Sequence, residues 1–136
     1  MATKVMFIQS REQKIPVASW ETNIPGLVIT EIPVTESIEG YRVTHAASGY
    51  AICYASWPTL AIAHLFAKKI EDVCDWADSL DNMEQYDKNQ KFEIKTKLDK
   101  VAEEMQSQME ENPGALIEEA LNVERAIKRE EGTSVA

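Results

Sequence analysis

The spacing of apolar residues changes once along this chain, at Trp57 and Pro58, and that change decides what the chain can fold into. Before it, apolar residues come in short, β-branched runs broken by Gly, Pro and Asn; after it they recur every three or four positions. A period of two belongs to strands and a period of 3.6 to helices, so the sequence reads as sheet first and helices afterwards. Strands followed by helices, and not alternating with them, point to the α+β class with an antiparallel sheet.

Within residues 1–56, KVMFIQ (4–9) and the run around 14–18 form a first hairpin across the polar turn SREQK, with Pro16 suited to an edge. Asn23, Pro25 and Gly26 punctuate the chain before LVITEIPV, a third strand that ends near Pro33. YRVTH and YAICYA then flank AASG as a second hairpin, in which Gly49 supplies a positive φ. The expectation is an antiparallel sheet of four or five strands.

Ser56 or its neighbour as cap and Pro58 in the first turn predict a long helix over 57–83. Its stripe is Ile62, Phe66, Ile70, Val73, Ala77 and Leu80, with Leu65 and Trp76 at the edge, and this face packs on the sheet. A second helix over 88–111 aligns Ile94, Leu98, Val101, Ala102, Met105 and Met109. Asn112, Pro113 and Gly114 interrupt it, and a third helix over 113–131 carries Leu116, Ile117, Ala120, Leu121 and Ile127, followed by a frayed tail over 132–136. These stripes offer more apolar surface than one small sheet covers, so either a helical hairpin or a homodimer through the C-terminal helices is expected.

At 136 residues, 44% of them apolar and 27% charged, the chain suits one folded domain. No apolar run has the length of a membrane span and the N-terminus lacks a secretory pattern, while Cys53 and Cys74 alone make no disulfide framework. A cytoplasmic protein with two reduced thiols is the expectation. The net charge of −9 argues against direct nucleic-acid binding, which depends on Lys and Arg. Residues 1–56 hold four basic and five acidic residues, whereas 57–136 hold ten and eighteen, so the acidity belongs to the helices.

His45, Cys53, His64 and Cys74 are the whole stock of soft and imidazole ligands, but none are closer than eight positions, so no metal and no cofactor is expected. His64 stands about 200° around the helix from Ile62, which predicts a surface histidine. Cys53 with His45 is the one nucleophile and base a hairpin would juxtapose, and it defines the alternative of a small Cys/His enzyme. A further alternative is a dimeric single-strand nucleic-acid binder using Tyr41, Arg42 and Tyr50 on the sheet, although alternation places Tyr41 and Arg42 on opposite faces.

The densest feature is an acidic row: Glu71, Asp72, Asp75, Asp78, Asp81, Glu84 and Asp87, with no Lys or Arg between them. Steps of three advance a helix by about 300°, so such a row winds around its axis as a curved ridge. Two readings stay open. The ridge solvates the surface, or it imitates spaced phosphates and occupies a basic groove on a partner protein, with Trp76 and Tyr86 as aromatic anchors.

YRVTHAASGYAI and AIAHLFAKKIEDVCDW resemble a pattern in small proteins of phages and mobile elements, a TH-x-x-SG hairpin feeding a helix that ends in Asp-Trp. Thr44, His45, Ser48, Gly49, Asp75 and Trp76 carry the resemblance, which covers about a third of the chain. It implies a phage-encoded, anti-CRISPR-like or other anti-defence inhibitor of a host protein, and it implies no catalytic residue.

Overall fold

The computed structural model describes residues 3–10, 13–32, 40–46, 51–52, 55–73, 75–76 and 88–135. Four strands come first: β1 (Thr3–Ser10), β2 (Gln13–Glu21), β3 (Leu27–Glu31) and β4 (Tyr41–His45). They are followed, among the described residues, by three helices: α1 (Leu60–Lys69), α2 (Lys88–Glu111) and α3 (Pro113–Val135). The strands form one antiparallel sheet in the order β1-β2-β3-β4, so each pairs with its neighbour in sequence.

Turn chemistry explains the joints. Leu27 donates its N–H to the Ile24 carbonyl at 3.1 Å, with Pro25 and Gly26 (φ 90°) between them, the arrangement of a type II turn that needs glycine at its third position. The Thr22 hydroxyl accepts the Ile24 N–H at 3.1 Å and reaches the Leu27 carbonyl at 2.6 Å, tying the same turn to the end of β2. Of the segment expected as a fifth strand, residues 50, 53 and 54 lie outside the described residues; Ala51 forms an isolated bridge with Thr44, and beyond the segment Trp57 forms another with Tyr41. Tyr41 and Trp57 exchange both backbone hydrogen bonds, at 2.9 and 2.8 Å. Gly40 (φ 129°) lets them approach, because a Cβ there would stand 2.6 Å from the Trp57 carbonyl oxygen.

The helix expected over 57–83 begins later and ends sooner. Thr59 caps it, its hydroxyl accepting the Ile62 N–H at 3.1 Å, and the helix stops at Lys69. Lys68 and Lys69 suit the negative end of the helix dipole, whereas Glu71 and Asp72 would oppose it. Beyond Ile70 the chain turns, and the Trp76 indole N–H caps the Ile70 carbonyl at 3.0 Å. The apolar period of the sequence persists across a break at which the charges change sign in the sense that the helix dipole favours.

Leu27, Ile29 and Val43, on one face of the sheet, join Trp57, Ile62, Leu65, Phe66 and Ile70 in the core. Ile94, Leu98, Ala102 and Met105 of α2 and Leu116 and Ala120 of α3 complete it. α1 packs against β3 and β4 on one side and against α2 and α3 on others, so residues 62–67 are buried in succession. α3 therefore covers α1 of its own chain, and most of the stripe for which a helical hairpin or a second copy was expected is occupied within the chain. Asn112 makes the joint between α2 and α3: its N–H closes α2 onto the Gln108 carbonyl at 2.8 Å, and its side-chain oxygen accepts the Ala115 N–H at 3.3 Å as the cap of α3. α3 continues through Gly132 to Val135. Among the described residues no helix is long and apolar enough to cross a membrane.

Candidate binding surface

The capped end of α1 presents the start of the acidic row. Asp72 and Asp75 are exposed there. Glu71 is half-buried and its carboxylate meets the Lys68 ammonium at 2.6 Å, so the row is paired at its first member by a lysine that precedes it. Asp78, Asp81, Glu84, Tyr86 and Asp87 lie outside the described residues. Trp76 does not sit beside Asp75 as an exposed anchor. It is 5% exposed, packs in the core and spends its indole N–H on Ile70, because ending α1 at Lys69 turns the following residues back against the helices.

The histidines also need correction. His64, expected at the surface, is 1% exposed, and His45 is buried at the end of β4. A helical wheel assigned His64 to solvent on the premise that one sheet covers α1; the two later helices cover its other sides. Among the described residues no cluster of His, Cys, Asp and Glu has a metal-binding arrangement. Cys53 and Cys74 lie outside the described residues, and with them the Cys53 and His45 pair of the enzyme alternative.

The sheet face drawn for nucleic-acid stacking divides as alternation requires. Tyr41 stands on the core face, half-buried, with its ring edge-on to Trp20 at 5.4 Å. Arg42 stands on the opposite face, beside the Thr30 and Thr44 hydroxyls, which bond each other at 2.8 Å. Tyr50 lies outside the described residues. Tyr41 and Arg42 therefore cannot grip one base between them.

Sequence reasoning passed over β1. Val5 is 75% and Phe7 63% exposed, opposite Ala18 and the exposed Pro16 of β2. The run VMFI (5–8) is apolar at consecutive positions, which marks a strand but not which face is uncovered. What could have marked it is position: a first strand in a sheet of sequential hairpins stands at an edge. Among the described residues, Phe92 on α2, 70% exposed, and Ile117 and Leu121 on α3 are the other large apolar side chains left open. α3 is further tied to α1 by the ion pair of Lys69 with Glu119 at 3.3 Å. Comparison with models of protein families, with characterised proteins and with solved structures finds no match to this chain.

Proposed function

We propose that this chain is a non-enzymatic, acidic binding protein, an inhibitor of a host defence protein encoded by a phage, that works by presenting spaced carboxylates to a basic groove. The observation that carries the reading is the exposure of Asp72 and Asp75 at the end of α1, where a seven-member row begins in the half of the chain that holds eighteen acids against ten bases. Carboxylates fixed at a helix end steer a basic partner and compete for the cations that would otherwise contact phosphates. Asp78, Asp81, Glu84 and Asp87 continue the charge and Tyr86 supplies an aromatic contact in this reading, while Trp76 serves the core.

The test is a capture experiment from bacterial lysate on two columns, one carrying the chain and one carrying a variant with Asp72, Asp75, Asp78, Asp81 and Asp87 changed to Asn and Glu84 to Gln. A partner held by the first column, absent from the second and displaced by short duplex DNA is the expected result. Equal retention on both columns, or indifference to DNA, removes the reading.

A further inference from the structure

We propose that the free edge of β1 is a self-association interface, in which β1 pairs antiparallel with β1 of a second copy and joins two four-stranded sheets into one. Among the described residues β1 pairs with β2 alone, so its other edge offers a row of backbone donors and acceptors. Sheets normally blunt such an edge with charge, proline, a bulge or a very short strand. β1 runs eight residues in unbroken register with β2 and contains no proline and no bulge, and of these devices it carries only one charge, Lys4.

The direction of the free groups follows from one hydrogen bond. Ala18, the partner of Val5, donates its N–H to the Glu31 carboxylate at 3.0 Å, on the β3 side and away from β1. Residues of a non-hydrogen-bonded antiparallel pair turn their N–H and C=O away from each other. Val5 therefore directs both groups to the open edge, and by alternation so do Thr3, Phe7 and Gln9. A two-fold axis through Met6 sets Val5 opposite the second copy's Phe7, Phe7 opposite Val5, Thr3 opposite Gln9 and Gln9 opposite Thr3, four pairs that each exchange two hydrogen bonds. Sliding the strands by two residues in either direction leaves three such pairs. The same register matches an aromatic residue with a β-branched one across the joint, and these are the two most exposed apolar side chains of the sheet.

Charge opposes a second copy less at this edge than elsewhere, and it is the matched register that makes a second copy the occupant. Two chains of net −9 repel, and the repulsion is concentrated in the helical half. α1 packs on β3 and β4, and α2 and α3 pack on α1, so the helices gather at the end of the sheet remote from β1. Meeting through β1 places the contact at the edge opposite β4, on which α1 packs, and the register sets Lys4 opposite Ile8 and not opposite itself.

A joint made of one strand per chain is at the small end of specific interfaces, so a dissociation constant on the order of micromolar is expected. Sedimentation velocity on the full chain with any tag removed, from about 5 to 500 μM, reads the 15.3 kDa monomer against its double. Val5→Lys and Phe7→Glu, both at exposed positions, are each expected to weaken the dimer at least about tenfold while leaving the thermal unfolding of the dilute monomer unchanged. Mixing the two variants restores a dimer, since one Lys then faces one Glu and the other joint keeps its Phe and Val. A wild-type chain that stays monomeric throughout, a single variant that dimerises as wild type does, or a mixture that fails to associate each overturns the proposal.

Discussion

Substituting Gly40 by alanine tests the joint that brings Trp57 beside β4. The φ of 129° lies where a side chain is strained, at a cost of about 1–3 kcal/mol. A Cβ would also stand 2.6 Å from the Trp57 carbonyl oxygen, which is backbone and cannot swing aside. Relief requires lengthening the pair of hydrogen bonds between Tyr41 and Trp57, each worth about 1 kcal/mol. Together these come to about 3–5 kcal/mol if both hydrogen bonds are lost. With a urea m-value of about 2 kcal/mol/M, the unfolding midpoint falls by about 1.5–2.5 M. Gly114→Ala is the control, because Gly114 lies in the first turn of α3 and its added Cβ meets nothing nearer than the Asn112 side-chain oxygen at 4.0 Å. There alanine restricts the unfolded chain and raises stability by about 0.5–1 kcal/mol. One substitution type, read by one urea titration, thus moves the midpoint in opposite directions at two glycines. A Gly40→Ala midpoint within about 0.3 M of wild type, at unchanged slope, refutes the reasoning.

Three further outcomes follow from buried contacts and caps. Thr30→Val leaves the Thr44 hydroxyl buried without its 2.8 Å partner and costs about 1–3 kcal/mol, whereas the double variant with Thr44→Val recovers most of that loss; a double-mutant cycle by urea unfolding reads the coupling. Asn112→Ala removes the cap of α3 and lowers stability by about 1 kcal/mol, while Asn112→Asp retains it, as thermal melts followed by circular dichroism will show. Phe66→Ala empties a fully buried site against Trp57 at 4.9 Å between ring centroids and costs about 3–5 kcal/mol in the same assay.

Much of the fold was legible because its signals are local. Pro25 with Gly26 announces its turn, and Asn112 with Pro113 announces both the end of α2 and the start of α3, since a cap and a missing N–H act within one turn of helix. α1 was misjudged because periodicity reports which side of a helix would be apolar, and not where the helix stops; the two lysines followed by Glu71 and Asp72 carried that information as charge. The burial of His64 and Trp76 depends on helices that arrive tens of residues later, and the need for Gly40 depends on the carbonyl of Trp57. Of the candidate surface, the charge was legible and its anchor was not, because exposure of an aromatic residue is a tertiary property.

The sequential order of the strands also sets an order of events during synthesis. Each hairpin needs only the strand made just before it, so the sheet can close strand by strand as the chain emerges, with little loop entropy to overcome. Its inner face at Leu27, Ile29 and Val43 then waits for α1, and α1 waits for α3, whose tie from Lys69 to Glu119 spans about fifty residues. A ribosome stalled before Pro113 holds a completed meander under a helix that lacks one of its covers. Burial of α1 therefore waits for α3, the described helix made farthest from it.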